Sequence, residues 1–209
     1  MVIIMKKLTA LLLALLLVLS SVSALAATSI NSGSSPSVSG ALSGVKPFKF
    51  EHKKNGIGRG VCPVYSAPYN GAYRCNNGRA VADTNSYIDL GGYSEQGWLL
   101  VRYSTNNGGT RVGWIPPKYI KGVRTSMVPH FSYIAQTAPT EINVTDNNLN
   151  PYDPTGYFAT LAAGETFYII GKYNYYQYDL WYIELTVDGQ TARGFIPMDA
   201  LDDSALGDG

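Results

Sequence analysis

The sequence is poor in the residues that most catalytic and metal centres require. It contains 2 His and 2 Cys in 209 residues, and neither a CxxC nor an HExxH motif occurs. Zinc sites usually take roughly three or four ligands from Cys, His and carboxylates, so this composition argues against them. The motifs GxxxxGK[ST], GxGxxG and GxSxG are also absent, which argues against phosphate loops, dinucleotide-binding turns and serine nucleophile elbows. We therefore expect a protein that is not an enzyme and that holds no metal and no cofactor.

Charged residues are scarce as well, at 15% of the chain, and they are distributed unevenly. The net charge of +1 conceals two unlike halves. Residues 27–124 carry 12 basic and 4 acidic side chains, whereas residues 125–209 carry 2 basic and 11 acidic ones. Such asymmetry predicts two modules with different electrostatic partners, or two modules that are each other's partner.

The N-terminus has the pattern of a secretory signal peptide. Lys6 and Lys7 precede the apolar run Leu8–Leu19, and small residues follow as far as Ala26. We predict a signal peptide over residues 1–26 and a secreted or extracellular protein associated with the cell wall. The rival interpretation is an N-terminal membrane anchor, but the apolar run is shorter than the roughly 20 residues that span a bilayer. We expect no stable membrane insertion after cleavage.

Residues 27–46 predict a flexible linker. The stretch from residue 28 to residue 45 contains seven Ser and three Gly in 18 positions. Such a segment offers too little apolar surface to offset its ordering entropy. We expect it to hold the folded part of the chain away from the surface behind it.

An internal repeat determines the predicted architecture. The hairpin Trp98–Tyr103 plus Arg111–Pro116 is similar to the hairpin Leu180–Leu185 plus Arg193–Pro197, and both second strands end in Gly-aromatic-Ile-Pro. The turns contain Asn-Gly at residue 107 and Asp-Gly at residue 188, which are strong hairpin signals. With 16 Tyr, 22 Gly and few helix-favouring runs, the chain is predicted to be all-β.

Alternation along the repeated strands assigns a predicted face to each side chain. In the second copy Trp181, Ile183 and Leu185 share one face, and Tyr182 and Glu184 share the other. By the same spacing, the predicted inward residues of the first copy are Leu99, Val101 and Tyr103, and the predicted outward residues are Trp98, Leu100 and Arg102.

The run Gly113-Trp114-Ile115-Pro116-Pro117-Lys118-Tyr119-Ile120 resembles the closing signature of Src-homology-3-like (SH3-like) barrels. Gly97–Val101 resembles their central strand, and Val64–Pro68 resembles the opening of bacterial members. The resemblance implies two tandem SH3-like small barrels, a basic one over residues 47–124 and an acidic one over residues 125–209. The second copy departs from the signature, with Ala200 in place of Tyr119 and Leu180 in place of Trp98.

The resemblance also implies a ligand groove in the first copy, formed by Trp98, Pro116 and Tyr119, with further aromatic candidates at Tyr65, Tyr69 and Trp114. The alternative is that these residues fill a small barrel. Because the first copy is basic, we expect an anionic cell-wall polymer as ligand, with the peptide that the resemblance implies as the alternative. The predicted export argues against nucleic acid. The expected sources of positive charge are Arg74, Arg79, Arg102, Arg111 and Lys118.

In the second copy Tyr175, Tyr176 and Tyr178 fall in a Tyr-rich loop between two predicted strands. Tyr combines contact area with a polar tip, which favours a recognition loop. The alternatives are a packing corner and an interface with the first copy. Asp146 and Asp153 lie in Asx-rich segments that are more typical of turns than of a Ca²⁺ site.

Cys62 and Cys75 are a disulfide candidate, since a pair 13 residues apart in an exported protein can close a loop. Two free thiols and a nucleophilic Cys with a His partner are the alternatives. The predicted function is an exported, non-catalytic binding protein. A second interpretation is a scaffold module, in which the two domains dock or another surface protein binds. A third is a cysteine-dependent hydrolase or a hydrolase accessory.

Overall fold

Short runs of β-branched and aromatic residues between Gly- and Asn-containing turns make this an all-β protein. The computed structural model describes residues 42–53, 60–83, 87–106, 108–123, 125, 129–146 and 149–202. The predicted signal peptide, the linker as far as residue 41, and Asn107 lie outside the described residues. The described residues belong to one compact unit.

Twelve strands are named in order along the chain. They are β1 Glu51–Lys53, β2 Val61–Pro63, β3 Val81–Asp83, β4 Ile88–Tyr93, β5 Leu99–Ser104, β6 Thr110–Ile115, β7 Ile134–Thr137, β8 Ile142–Thr145, β9 Tyr157–Leu161, β10 Thr166–Tyr175, β11 Tyr178–Val187 and β12 Gln190–Pro197. Three 3-10 helices accompany them, at Pro117–Tyr119, Pro154–Gly156 and Met198–Leu201. We call β1–β6 the first module and β7–β12 the second module.

The strands are connected in the same way in both modules. The first sheet has the order β1-β4-β5-β6, and a bridge between Tyr65 and Trp114 attaches the β2-β3 pair to β6. The second sheet has the order β7-β10-β11-β12-β8-β9. Over the described residues neither sheet closes into a barrel. All neighbouring strands in both modules are antiparallel.

The repeated hairpins also share their register. Leu100 lies opposite Trp114 in the first module, and Tyr182 lies opposite Phe195 in the second. The Asp-Gly turn of the second hairpin has both central residues at positive φ, 50° for Asp188 and 74° for Gly189, as the turn signal predicted. The first hairpin ends in a longer loop, because its last strand pair is Ser104 with Thr110.

A bulge recurs at the equivalent place in both modules. The register of β4 against β5 shifts between Leu90 and Gly92, and that of β10 against β11 shifts between Ile169 and Gly171. Bulges increase the local twist and bend the strand. A shared bulge, like the shared register, is independent of side-chain identity and marks the modules as two copies of one structural unit.

Each module has its own core, and a third apolar cluster lies between the modules. The first core contains Leu99 and Val101, and the second core contains Trp181 and Ile183. These residues face inward, as the alternation predicted. The third cluster, which we call the central interface, draws buried residues from both sheets and from the segments beside them: Phe48, Trp98, Leu100, Val112, Trp114, Leu149, Ile170, Tyr173, Leu180, Tyr182 and Phe195.

The central interface covers the face of the first module that was predicted to point outward. Trp98 and Leu100 do point away from the first core, but they are buried, with 5% and 0% of their surface exposed. The opposite face of each sheet is covered by the other module and not by water. Alternation separates the two faces of a strand but does not say what covers each one. Burying a side chain such as Leu100 contributes about 1.5–3 kcal/mol.

The segment before β1 links the two modules. Leu42 and Val45 are buried in the second core, and Phe48 lies in the central interface. The backbone N–H of Phe48 donates to the carbonyl of Lys172 at 3.0 Å, beside the bulge of β10. The predicted linker therefore ends earlier than residue 46, since its described residues 42–46 pack on the second module. No helix among the described residues has the length and apolar character needed to cross a membrane.

Candidate functional site

The predicted groove of the first module is not open at its central residues. Trp98 and Trp114 are buried in the central interface, and Pro116 is buried as well. Trp114 Nε1 donates to Tyr182 Oη at 3.4 Å, and the Arg193 guanidinium lies 5.6 Å from the Trp114 ring centroid. These contacts come from the second module, so the surface that the resemblance implied for a ligand is occupied by the other copy.

The remaining aromatic candidates of the first module stay partly exposed but do not gather at one site. Tyr65 is half-buried and meets Trp98 edge to face, with 5.2 Å between ring centroids. Tyr69 is 40% exposed, and half-buried Tyr119 packs beneath the Lys118 ammonium at 5.1 Å. The Arg74 guanidinium also covers the ring of Tyr65, at 5.2 Å from its centroid.

Three of the five basic residues expected to attract an anionic polymer are used inside the fold. Arg74 Nη2 donates to the carbonyl of Ala80 at 2.8 Å. Arg102 binds Asp89, and Arg111 pairs with Asp146. Arg79 and Lys118 remain exposed. Structural contacts therefore occupy three of these five basic side chains.

A cleft with a volume of about 950 Å³ is lined by both modules. The first module contributes the β2–β3 region, the ends of β4 and β5, and the loop after β5. The second module contributes the segment around the 3-10 helix Pro154–Gly156 and the start of β9. The lining includes Asn76, Asn77, Arg79, Asp83, Tyr87, Ser104, Thr105, Asn106, Thr155 and Tyr157, most of them exposed and polar. We call this the intermodule cleft.

A buried polar cluster lies at the bottom of the intermodule cleft. Arg111 Nε and Asp146 Oδ2 are 3.2 Å apart and form an ion pair across the two modules. Both atoms, and the hydroxyl of Tyr103, have no hydrogen-bond partner among the described residues. Burial raises the pKa of Asp146, and the charge of Arg111 opposes that shift. Burial likewise raises the pKa of Tyr103.

Among the described residues, the charges that line the intermodule cleft balance. Arg79 and Arg111 contribute two positive charges, and Asp83 and Asp146 contribute two negative ones. A site of this kind offers many hydrogen-bonding groups of both types but no net attraction for an ion of either sign.

A second cavity of about 150 Å³ adjoins the intermodule cleft, and Tyr87, Tyr103 and Ser104 line both. We call it the side cavity. Its other walls are His52, Asp89, Arg102 and Thr110 from the first module and Tyr175 and Tyr176 from the second. Its formal charges, on Asp89 and Arg102, also cancel.

Asp89 binds two other side chains that line the side cavity, His52 and Arg102. Its Oδ1 lies 2.5 Å from His52 Nδ1, and its Oδ2 accepts a 2.7 Å hydrogen bond from Arg102 Nε. Arg102 Nη1 then donates to Tyr173 Oη of the second module at 2.6 Å. The His52 ring stacks on Tyr87, with 5.3 Å between centroids and 11° between planes. These contacts fix an aromatic pair at the boundary between the two cavities.

The predicted Tyr-rich loop is the tip of the β10–β11 hairpin. Tyr175 pairs with Tyr178 at the last rung, and Tyr176 occupies the turn with a φ of 52° and 90% of its surface exposed. A bulky residue at positive φ is uncommon. Of the three predicted residues, Tyr175 and Tyr176 line the side cavity, while Tyr178 contacts Tyr152 on the other side, at 6.2 Å between ring centroids.

Both cysteines are buried free thiols in the first core. Their sulfurs are not joined in the structure, so the disulfide stays a prediction. Burial raises the pKa of Cys62 to about 11. Burial also raises the pKa of Cys75 well above its usual value, and the neighbouring Asp146 adds to that shift. Nucleophilic cysteines show the opposite shift, because the thiolate is the reactive form.

The predicted turn role of Asp153 agrees with its contacts. Its carboxylate accepts a hydrogen bond from the backbone N–H of Thr155 at 2.9 Å and so caps the 3-10 helix Pro154–Gly156. No group of three or more potential metal ligands is found within the described ranges.

The sequence interpretation missed most of the residues that line the two cavities. Tyr87 and Asn76 lie in segments outside the repeated hairpins. Arg111 and Asp146 belong to different modules, and only the packing of the modules brings them together. Two signals were available. Two members of the Tyr-rich hairpin line the side cavity, and the predicted basic residues Arg79, Arg102 and Arg111 each line one of the two cavities.

Comparisons of this chain with models of known protein families, with curated protein sequences and with solved structures find no match.

Proposed function

We propose that this is an exported, non-catalytic binding protein that recognises a cell-wall polymer in the intermodule cleft. The observation that carries the proposal is the cleft itself, which has about 950 Å³ of volume and a lining of exposed polar side chains from both modules. Ligand sites are concave and typically about 300–1,000 Å³ in volume. The signal-peptide pattern of residues 1–26 supports export, and export favours a wall or surface ligand.

Two SH3-like modules are part of this proposal. Support comes from the Gly-aromatic-Ile-Pro signature followed in each copy by a 3-10 helix. Pro116 and Pro197 precede those helices with almost identical backbone angles, φ −64° for both and ψ 148° and 147°. The shared strand order, register and bulge agree with two copies of one module.

The raised thiol pKa values support binding rather than cysteine-dependent hydrolysis. A thiol with a pKa of about 11, as for Cys62, is almost entirely protonated at neutral pH. The exposed His52 is held by Asp89 and Tyr87, not by either cysteine.

The scaffold alternative is favoured by one observation, which is that the modules already pack on each other within one chain. The central interface buries aromatic residues from both sheets, among them Trp114 and Tyr182. The central interface is therefore buried inside the molecule. A partner protein would need another surface, and the intermodule cleft is one such concave surface.

Co-sedimentation with purified bacterial cell walls tests the proposal. Arg79 lines the intermodule cleft, whereas Lys118 lies outside it, and both are exposed cations of the first module. We expect Arg79→Ala to weaken wall binding by roughly 10- to 100-fold, the effect of one lost hydrogen bond to a charged group. Lys118→Ala is the matched control and should leave binding unchanged. Equal losses in both variants would indicate charge-driven adsorption and would contradict recognition in the cleft.

A further inference from the structure

We infer that the ligand is a neutral glycan chain that runs from the intermodule cleft over Tyr87 into the side cavity. This inference rests on the proposed function, because it names the chemical class and the path of the ligand for the same site. Four observations lead to it. The two cavities adjoin each other, the ring of Tyr87 is held by its neighbours, the volumes suit ring-shaped units, and the charges of the lining balance.

The two cavities adjoin each other. Tyr87, Tyr103 and Ser104 line both of them, and Tyr87 is 51% exposed at their common boundary. A ligand that extends past this boundary must pass the Tyr87 ring. A chain molecule can do so, whereas a single small molecule would occupy one cavity only.

Tyr87 is held as a rigid platform. Its ring stacks on His52, whose Nδ1 lies 2.5 Å from Asp89 Oδ1, and Asp89 is fixed in turn by Arg102. A ring that is ordered before binding costs little entropy when a ligand packs against it. The electron-rich face of an aromatic ring attracts polarised C–H groups, which one face of a sugar ring presents.

The side cavity has the size of one six-membered ring. Its volume is about 150 Å³, and a cavity of about that volume accommodates benzene. The intermodule cleft, at about 950 Å³, has room for several such rings. The two cavities together therefore fit a polymer of ring-shaped units, with one unit in the side cavity and several in the intermodule cleft.

Charge and hydrogen-bonding capacity select a glycan. Among the described residues that line each cavity, the acidic and basic side chains cancel, so these linings give a polyanion such as a wall phosphodiester no net attraction. Sugar hydroxyl groups donate and accept, which matches a lining that mixes Asn, Asp, Arg and Tyr side chains. An extended peptide, by contrast, is usually recognised along a sheet edge or on an apolar aromatic groove.

Tyr176 lies at the hairpin tip, at the side-cavity end of the inferred ligand path. It is 90% exposed, it lies at the wall of the side cavity, and it meets Tyr175 edge to face at 4.7 Å between centroids. Its positive φ is the conformation that the first central residue of a tight two-residue hairpin turn adopts.

Calorimetric titration with neutral oligosaccharides of N-acetylated amino sugars, from a disaccharide to an octasaccharide, tests the inference. We expect affinity to rise with chain length until both cavities are filled and then to level off. Tyr87→Ala should weaken binding of the long oligosaccharides about tenfold, and Tyr87→Phe, which keeps the ring, should stay within about twofold of the wild type. Tyr176→Asn suits the positive φ and removes the ring, so it should abolish the gain from the last sugars. Tyr168, 44% exposed and outside both cavities, provides the control variant Tyr168→Ala.

Three results would overturn the inference: affinity that does not depend on length, equal behaviour of Tyr87→Ala and Tyr168→Ala, or binding of wall-derived peptides without binding of glycans. None of these would remove the effect of Arg79→Ala on wall co-sedimentation. Failure of the glycan inference is therefore distinguishable from failure of the proposed function.

Discussion

Gly113 and Gly194 occupy the same position in the two modules, each opposite a valine that leaves no room for a side chain. A Cβ on Gly113 would lie 2.3 Å from Val64 Cγ1, and a Cβ on Gly194 would lie 2.6 Å from Val144 Cγ1. The glycine of the Gly-aromatic-Ile-Pro motif is thus required by the close approach of β6 to the β2 segment and of β12 to β8.

We expect Gly113→Ala and Gly194→Ala each to destabilise the protein by roughly 1–3 kcal/mol, the usual cost of overpacking a core. Urea unfolding followed by circular dichroism measures the change in the free energy of unfolding. Gly44→Ala is the control, because nothing lies within 4 Å of the Cβ it would gain. Unchanged stability in either motif variant would contradict the requirement for glycine at that position.

Leu100→Ala should destabilise both modules together. Leu100 is fully buried in the central interface, so its truncation removes contacts from the two sheets at once. We expect a loss of roughly 2–5 kcal/mol in the free energy of unfolding.

Hydrogen exchange resolves whether the modules respond together. The amide protons of β5 in the first module and of β11 in the second should both exchange faster in Leu100→Ala. Val61→Ala, at a residue 64% exposed, should change neither. Faster exchange confined to the first module would mean that the modules unfold independently.

The repeat, its two hairpins and the inward residues could be predicted from the sequence, because alternation and turn chemistry act over short distances. The fate of Trp98 and Trp114 could not, since both faces of β5 and β6 carry large apolar side chains. A strand with two apolar faces is buried on both, but its sequence does not name what covers the second face. The cavities could not be predicted from the sequence either, because Arg111 and Asp146 meet only after the modules pack.

The titration of Cys62 should make the protein less stable at alkaline pH. Its pKa rises from 9.0 to about 11 on folding, so the folded state binds the thiol proton more tightly than the unfolded state. The associated stability is present below pH 9 and is lost as the pH rises towards about 11. We expect a loss of roughly 2–3 kcal/mol over this range.

Urea unfolding at a series of pH values, in the presence of a reducing agent, measures this loss. The variant Cys62→Ala should show a shallower decline between pH 9 and 11 than the wild type. Buried tyrosines add to the decline in both proteins, since burial raises the pKa of Tyr182 to about 12. Identical slopes for the two proteins would contradict the assignment to Cys62.

The most direct test of the central claim, that a charge-balanced cleft recognises a neutral glycan, is wall co-sedimentation across a range of salt concentrations with soluble N-acetylated oligosaccharide as competitor. Screening weakens interactions between exposed charges but not hydrogen bonding and ring packing in a neutral site. We predict that the bound fraction changes little with salt and that the oligosaccharide displaces the protein at every salt concentration. Binding that disappears as salt rises, or that the oligosaccharide fails to displace, would contradict the account.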